Sequence, residues 1–304
     1  HAHSPNSTRR IMLDVCIALL PALIGAIVFF GARALTLTAL SVAGCVFFEW
    51  AYRRIMKKDN TTGDLSAVVT GMLLAFNMPA TLPWWMAIVG AFIAIVVVKQ
   101  LFGGLGYNFA NPAIVGRIAM AMGFAGAMSN YPHPVNNIDA FASATPLAVA
   151  GQVGSESYMT LLLGTHGGVL GETCAITILI GGIFLIATKV ISPTIPVTYL
   201  ATVAVLSLVA GEDPIYQLLS GGLLLGAFFM ATDYVTSPTT NKGKLVFGLG
   251  LGIVTCAIRF LGTMNEGVSF AILLMNLWVP YINDLTHQVP LGYKKPEKKK
   301  EAAK

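Results

Sequence analysis

The chain has 304 residues, of which 55% are hydrophobic and only 11% charged, with a formal net charge of +5 and a mean hydropathy of +0.72. Soluble domains carry about 25% charged residues, so this composition excludes an ordinary globular domain and predicts an integral membrane protein. The positive charge does not indicate nucleic-acid binding, because the basic residues lie at the ends of apolar stretches and in a terminal run, KKPEKKKEAAK, that is typical of a solvated tail.

Ten apolar stretches predict membrane-spanning helices, because a helix crosses a bilayer with ~20 mostly apolar residues. The third stretch is short, and we expect it to tilt or break near Asn77 and Pro79. The predicted fold class is therefore an all-α polytopic membrane protein with about ten transmembrane helices. The predicted spans are 11–30, 34–54, 64–78, 84–101, 110–127, 170–189, 195–211, 215–233, 244–261 and 267–285.

These spans divide the chain into four regions. Residues 1–127 are predicted to form a first transmembrane half, 128–169 a long extracytoplasmic segment, 170–286 a second transmembrane half and 287–304 a basic cytoplasmic tail. The chain starts at His1 rather than at Met, which indicates a trimmed start.

The distribution of Lys and Arg predicts the orientation, since cytoplasmic loops of membrane proteins carry an excess of positive charge. With the N-terminus in the cytoplasm, only Arg33 and Arg259 fall toward the outside, whereas the opposite orientation would invert that ratio. Both termini are therefore predicted to be cytoplasmic. The segment 128–169, which contains Asp139 and Glu156 but no Lys or Arg, is predicted to face outward.

The two halves show a weak internal similarity. VVTGMLLAF in the third span resembles LLSGGLLLGAFF in the eighth, and LFGGLGYN resembles RFLGTMNE at the corresponding place in the second half. Because each half has an odd number of spans, the second would be inserted upside down relative to the first. Inverted repeats of this kind form sites near the bilayer midplane from interrupted helices. Chance matching among Gly- and Leu-rich spans is the alternative.

The outer segment contains a polar stretch, IDAFASATPL, at residues 138–147. Its local chemistry is typical of a turn, because Asp and Ser side chains bind nearby backbone groups and Pro146 keeps the preceding residue extended. The hydroxyl of Thr145 is nevertheless flanked by small residues, which would let a modifying enzyme approach the backbone closely. From the residues alone, a turn and a modification site both remain open.

The same stretch resembles the signature D-x-x-(S/T)-(G/S)-A-T, at which a flavin transferase attaches FMN through its phosphate to the Thr hydroxyl. The match puts Asp139 first, Ser143 fifth, Ala144 sixth and Thr145 at the acceptor position. It departs from the signature at the fourth position, where Ala142 stands in place of Ser or Thr.

Two longer blocks extend the resemblance over nearly the whole chain, from about Arg10 to Asp284. They are similar to the family that contains the D subunits of Rnf complexes and the B subunits of sodium-pumping NADH:quinone reductases. The short N-terminus favours the Rnf members. The family implies a membrane subunit of a redox-driven translocase, which couples electron flow between ferredoxin and NAD to transport of sodium ions or protons. The two blocks are PWWMAIVGAFIAIVVVKQLFGGLGYNFANPAIVGR, 83–117, and FFMATDYVTSPTTNKGK, 228–244.

The resemblance also implies cofactors and partners. It implies FMN esterified to Thr145, and it allows for a second, non-covalent flavin, either riboflavin or FMN. The implied partners are other membrane and peripheral Rnf subunits, including iron–sulfur and second flavin-carrying subunits, together with a flavin transferase and the lipid of a prokaryotic plasma membrane. Nucleic acid is not among them. The chain is not catalytically complete alone, because its sequence has no ferredoxin site, NAD fingerprint or iron–sulfur ligand set.

Polar residues at two span boundaries are further candidates. Asn108, Asn111 and Arg117 follow the sequence GGLG at the start of the fifth span. They predict either a capped helix start with Pro112 in its first turn, or a polar lining that holds a flavin or its phosphate. Asp233, after the eighth span, is either a capped, hydrated helix end or a group in an ion path or flavin site.

Several other residues are expected to be structural. Glu49 lies inside a span near its end and is expected to snorkel or to pair with a basic neighbour. His133 and His166 lie in the outer segment and are expected to be solvated. The four cysteines stand alone in apolar stretches and are expected to be small core residues rather than metal ligands. They are Cys16, Cys45, Cys174 and Cys256.

Two other classes of function remain as alternatives. One is an inverted-repeat solute or ion transporter with no redox role, and the other is a membrane scaffold. A water channel is disfavoured, because the Asn-Pro-Ala triad at 111–113 has no counterpart in the second half. A flavin on the outer Thr would separate the redox subunit from both alternatives.

Overall fold

The computed structural model of the protein describes residues 7–132, 142–143, 146–148, 156–262 and 267–286. Three residues of the predicted flavin-attachment signature, Asp139, Ala144 and Thr145, lie outside this part of the chain, as does the tail 287–304. Of the signature, Ala142 and Ser143 are described through their backbone, which forms a short strand.

Helices occupy each of the ten apolar stretches, and their ends follow local chemistry. Ser7 caps the first helix through its side chain, and Thr240 caps the twelfth. The helices are α1 Thr8–Phe30, α2 Ala32–Ile55, α3 Ser66–Phe76, α4 Trp84–Gln100, α5 Pro112–Gly123, α6 Ala125–Met128, α7 Tyr158–Leu163, α8 Ala175–Ala187, α9 Thr194–Ala210, α10 Pro214–Leu219, α11 Leu223–Leu225, α12 Asn241–Leu261 and α13 Val268–Thr286. The second part of α4, Ile93–Gln100, is a π-helix, and a π-helical segment, Gly226–Met230, continues α11.

Four of these helices are long and apolar enough to cross a bilayer by themselves, namely α1, α2, α12 and α13. Five more, α3, α4, α5, α8 and α9, are apolar but have only 10–17 residues. The chain is therefore a helical, polytopic membrane protein. Large apolar side chains point outward along these helices, as lipid contact requires; Ile24 in α1 and Val209 in α9 are examples.

The eighth predicted span is not a continuous helix. Helix α10 ends at Leu219, and α11 begins only at Leu223. Between them Gly221 has φ +66°, a left-handed conformation that residues with a side chain rarely adopt. The prediction of one helix over 215–233 was therefore wrong in its continuity. The predicted break near Asn77 is confirmed, because α3 ends at Phe76.

The two halves pack in similar ways. In the first half, α2 packs against α3 and α4, and α5 packs against α4; in the second half, α12 packs against α9 and α13. Helices α1 and α8 join the halves, as do α5 and α13. The α1–α8 contact is close, since a Cβ built at Gly181 would lie 2.0 Å from the Ala18 carbonyl oxygen.

A two-stranded ribbon brings part of the signature next to the membrane helices. Strand β1, Tyr131–Pro132, follows α6 and pairs antiparallel with β2, Ala142–Ser143. The register sets Tyr131 opposite Ser143. Ala142 and Ser143 are therefore held beside the chain that follows α6.

Candidate functional site: a polar cavity and an anchor at opposite ends of the bundle

A cavity opens at the end of the bundle where α1, α3 and α5 begin and where α4 and α8 end. Its lining is mostly apolar with a few polar groups, as is common for small-molecule and cofactor sites. The cavity brings together Asn108, Asn111 and Asp233, which the sequence had placed in two separate candidate groups. It adds Lys99, which the sequence analysis did not single out as a candidate. The polar residues that line it are Ser66, Thr70, Lys99, Asn108, Asn111, Thr232 and Asp233.

A glycine-rich turn carries the chain from α4 to the cavity wall. Gly103, Gly104 and Gly106 all have positive φ, so only glycine fits this turn without strain. The turn ends at Asn108, whose side-chain amide donates to the Ala110 carbonyl at 3.0 Å. Asn108 is buried at this position and faces the cavity from the α5 side.

Asn111 starts α5 and also ties the two halves together. Its side-chain oxygen accepts from the backbone N–H of Ala113 at 3.0 Å, and Pro112 occupies the first turn, so the capped helix start is confirmed. The amide nitrogen of Asn111 donates to the Met230 carbonyl at 3.3 Å. Met230 is the last residue of the π-helical segment after α11, so Asn111 satisfies a carbonyl at a broken helix end.

The broken end of α3 is closed from the other half in a matching way. The backbone N–H groups of Gly171 and Leu170 donate to the carbonyls of Phe76 at 2.8 Å and Met78 at 3.1 Å. The side chain of Asn77 lies between the two breaks, 3.8 Å from the Met230 sulfur. At each interrupted helix, backbone or side-chain donors of the opposite half therefore hydrogen-bond to the carbonyl groups at the helix end.

A buried ion pair stands on the wall of the cavity. The Lys99 ammonium is 2.9 Å from the Glu49 carboxylate and donates to the Ser66 hydroxyl at 2.6 Å. The exposed fractions of the two charged side chains are 2% and 0%. The predicted pairing of Glu49 with a basic neighbour is thus confirmed. A lysine within the apolar run IAIVVVKQ was the sequence signal for this site, since buried charges in membrane helices are costly and rarely without a role.

Asp233 lies on the same cavity wall, three residues beyond the π-helical segment. Its carboxylate accepts from the Thr236 hydroxyl at 3.0 Å, and its side chain is half-buried. Behind it, Asn276 of α13 bridges the halves. With its amide oriented so that both ends are paired, Asn276 donates to the Thr236 carbonyl at 3.0 Å and accepts from the Asn111 N–H at 3.1 Å.

Arg117 lies one to two turns into α5 and does not line the cavity. Its guanidinium donates to the Ser269 hydroxyl at 2.5 Å and lies 3.9 Å from the Glu172 carboxylate. Glu172 precedes α8 and packs against Gly222, where a Cβ would lie 2.4 Å from its carboxylate oxygen. Arg117 is therefore buried with an acidic partner, apart from Asn108 and Asn111.

At the opposite end of the bundle, the chain beside Thr145 is anchored. The Tyr216 hydroxyl of α10 donates to the Pro146 carbonyl at 2.9 Å, and Leu147 packs against Gly221. Arg259 of α12 holds the same region, because it donates to the backbone carbonyls of Gln217 at 2.8 Å and Ser220 at 3.1 Å.

The structure corrects one prediction for the segment 128–169. The prediction that His166 is solvated was wrong: the structure buries its side chain to 2% exposure, and a ring nitrogen lies 3.1 Å from the Gly167 carbonyl oxygen. His133 lies outside the described residues.

The Tyr158 hydroxyl donates to the Asp213 carboxylate, whose other oxygen caps α10 at the Ile215 N–H.

Comparison with known proteins identifies this architecture. A model of the NQR2, RnfD, RnfE family matches residues 1–292. The chain belongs to this family. It is 45% identical over 99% of its length, and 96% of the relative's, to the D subunit of the Na(+)-translocating ferredoxin:NAD(+) oxidoreductase complex of Acetobacterium woodii. It is 37% identical over 96% of its length, and 94% of the relative's, to the D subunit of the proton-translocating ferredoxin:NAD(+) oxidoreductase complex of Clostridium ljungdahlii.

A further relative is also named as a D subunit. It is the D subunit of the ion-translocating oxidoreductase complex of Stutzerimonas stutzeri, which is 37% identical over 91% of this chain and 90% of its own length. The resemblance to D subunits that the sequence motifs indicated is therefore confirmed over nearly the full chain. The first two relatives are named for sodium ions and for protons respectively, so membership of the family leaves the transported ion open.

Proposed function

We propose that this protein is the D subunit of an ion-translocating ferredoxin:NAD oxidoreductase complex. In this role it holds flavin cofactors in the membrane-embedded part of the complex. The family match over nearly the whole chain, at up to 45% identity to subunits with that name, is the observation that carries the proposal. The remaining redox centres then belong to partners, including iron–sulfur and second flavin-carrying subunits. Among the described residues, His, Cys, Asp and Glu form no group of three or more that could hold a metal ion.

The first proposed cofactor is FMN attached through its phosphate to Thr145 by a flavin transferase. Asp139, Ser143 and Ala144 complete the recognition signature, and Ala142 departs from it. The anchor of Pro146 on Tyr216 supports this role, since a tethered cofactor is useful only if its attachment point is held near its redox partners.

The second proposed cofactor is a non-covalent flavin in the cavity. The uncharged hydrogen-bonding groups on its wall, among them Asn108 and Thr232, suit the polar edges of an isoalloxazine ring, and the rest of the lining is mostly apolar. Its charges favour riboflavin over FMN. An ionised Asp233 on the cavity wall would repel a phosphate. When bound, a flavin supplies the redox chemistry, and these residues supply its position and its electrostatic surroundings.

We further propose ten membrane spans arranged as two inverted five-helix repeats, in a prokaryotic plasma membrane with both termini in the cytoplasm. The similar helix packing in the two halves supports the repeat. The third helix of each half is also interrupted, at α3 in the first half and at α11 in the second. In this orientation the cavity opens toward the cytoplasm and Pro146 lies at the outer surface. Asp233 is then a candidate for an ion path that starts at the cavity.

A solute or ion transporter without redox chemistry is the second candidate function. The interrupted helices that meet near Asn77 and Met230 favour it, because transporters commonly bind their substrates at such breaks. The two candidates differ in one property that is simple to observe: only the redox subunit contains flavin.

Acid precipitation of the protein purified from its native host tests the proposal. Covalent flavin stays with the precipitate, whereas non-covalent flavin is released into the supernatant. We expect Thr145→Ala to remove the first pool and leave the second. Thr70→Phe, which fills the cavity from α3, should do the reverse. If wild-type protein made together with a working flavin transferase contains no flavin in either pool, the transporter is the candidate function that remains.

A further inference from the structure

Lys99 occupies an unusual position for a charged side chain. It lies in the π-helical end of α4, is almost fully buried, and lines the cavity next to Ser66. Within the part of the chain that the structure describes, its hydrogen bonds to Glu49 and Ser66 use two of its three N–H donors. One donor of a buried cation is therefore left for a molecule in the cavity.

The carboxylate behind Lys99 is held in place from three sides. Besides Lys99, Glu49 accepts from the Thr61 hydroxyl at 2.7 Å and from the Gln100 amide at 3.0 Å. Gln100 in turn accepts from the Arg53 guanidinium at 3.0 Å. Lys99, Glu49 and these donors therefore form one buried hydrogen-bonded network that positions the Lys99 ammonium at the cavity wall.

Asp233 places a carboxyl group in the same cavity. One ligand site is therefore lined by a buried ammonium, paired with Glu49, and by a carboxyl group from the other half of the chain. A neutral ligand would be oriented by this field. A ligand that gains negative charge during its reaction would be stabilised by Lys99 and opposed by Asp233, because the surroundings of low dielectric strengthen both interactions.

We propose that Lys99 is a redox-tuning residue: it binds the reduced, negatively charged form of the cavity flavin more tightly than the neutral oxidised form, and Asp233 acts in the opposite sense. This inference rests on the proposed flavin in the cavity. Reduction adds two electrons and one proton to the neutral ring and yields a monoanion whose charge lies near N1. The electrons come from a partner redox centre, the proton comes from water in the cavity, and Lys99 and Glu49 keep their own protonation states.

Lys99→Met alone would leave Glu49 buried without its cation and could fail to fold. The test therefore uses the double variant Lys99→Met with Glu49→Gln, which removes both charges together, beside the conservative variant Lys99→Arg. Each full-length protein is placed in lipid nanodiscs and its non-covalent flavin is removed. It is then titrated with riboflavin. Fluorescence quenching gives the dissociation constant of the oxidised form. The midpoint potential of the bound flavin then gives the affinity ratio of the two forms.

We expect the double variant to weaken binding of reduced riboflavin at least tenfold more than binding of the oxidised form. For a two-electron couple this tenfold difference corresponds to a fall of about 30 mV in midpoint potential. Lys99→Arg should retain most of the wild-type potential, because it keeps a cation at the site. Asp233→Asn should shift the potential in the opposite direction.

Other outcomes would overturn the inference. Equal weakening of both forms, with an unchanged potential, would make Lys99 a structural residue of a genuine flavin site. A potential that falls by the same amount in Asp233→Asn would remove the electrostatic explanation. If the wild-type protein binds no riboflavin, the proposed cavity flavin fails together with the inference. That result differs from the first, in which riboflavin binds and only the preference between its forms is missing.

Discussion

The Tyr216 hydroxyl donates a hydrogen bond to the Pro146 carbonyl oxygen at 2.9 Å and so fixes the chain one peptide beyond Thr145 to helix α10. Pro146 directly follows Thr145, the proposed flavin acceptor, in the sequence. Tyr216 is itself buried, and Arg259 holds the turn that follows α10. The residue after the proposed attachment point is therefore held by buried hydrogen bonds at the end of the bundle opposite the cavity.

Tyr216→Phe should loosen this anchor without unfolding the bundle. The lost hydrogen bond contributes about 0.5–1.5 kcal/mol, which predicts a several-fold increase in local opening of the outer segment. Limited proteolysis with thermolysin, followed by mass spectrometry of the 128–169 fragments, measures this opening. Tyr199→Phe is the matched control, because Tyr199 bonds to Thr255 inside the bundle. Equal cleavage of both variants and of the wild type would show that the Tyr216 anchor is unimportant.

A substitution at Gly181 should destabilise the junction between the two halves. An added Cβ would meet the Ala18 carbonyl oxygen of α1, so Gly181→Ala must push α1 and α8 apart. Overpacking of this kind costs about 1–3 kcal/mol, which thermal unfolding in detergent will detect. Gly123→Ala is the control, since nothing lies within 4 Å of its added Cβ. If both variants unfold at the wild-type temperature, the close contact of α1 with α8 is wrong.

Asp233 should be needed for ion transport if the ion path begins at the cavity. For a complex that transports sodium, we expect Asp233→Asn to raise the sodium concentration for half-maximal uptake at least tenfold, equivalent to about 1.4 kcal/mol of lost ion affinity. The measurement is sodium uptake driven by electron flow in vesicles that contain the whole complex. Asp14→Asn is a control, because Asp14 does not line the cavity. Unchanged uptake and affinity in Asp233→Asn would remove Asp233 from the path.

The outer contact between Tyr158 and Asp213 should make a small, pH-dependent contribution to stability. The hydrogen bond from Tyr158 holds the pKa of the Asp213 carboxyl below its ordinary value of 3.8, and the same bond raises the pKa of Tyr158 above 10.0. The stabilised state is therefore ionised Asp213 with protonated Tyr158. Its contribution is complete above the unfolded pKa of Asp and below that of Tyr. It is lost as the pH falls through the folded pKa of Asp213 or rises through that of Tyr158.

Tyr158→Phe tests this assignment. We expect a small fall in the thermal midpoint near pH 7, because both groups are exposed, and no difference from the wild type near pH 2. Asp213→Asn is less informative, since its amide oxygen still caps α10. A difference between Tyr158→Phe and wild type that is the same at both pH values would attribute the effect to packing rather than to the hydrogen bond.

Much of the helical framework follows from the sequence, because apolar length and helix caps are local properties. The end of α3 near Asn77 and the capped start of α5 at Asn111 were both predicted on such grounds. The break within the eighth span was missed, because Gly221 and Gly222 lie in an apolar run whose composition alone suits a continuous helix. Glycine permits a left-handed residue there, but only the packing of Leu147 and Glu172 against this turn selects it.

The sequence predicted individual residues of the cavity better than it predicted the cavity itself. Asn108, Asn111 and Asp233 were each singled out, yet the sequence gives no reason for residues more than a hundred positions apart to share one wall. That arrangement depends on bonds between the halves, such as the one from Asn111 to the Met230 carbonyl. His166 shows the opposite error, since an outer polar segment suggested solvent where the fold provides burial.

The most direct test of the central claim is peptide mass spectrometry of the protein purified from its native host, with Thr145→Ala as the control. A redox subunit of this family predicts a mass increase equal to FMN, less the water lost on esterification, on the peptide that contains Thr145. The increase should be absent from the Thr145→Ala protein. An unmodified Thr145, in protein made alongside a working flavin transferase, would contradict the tethered flavin.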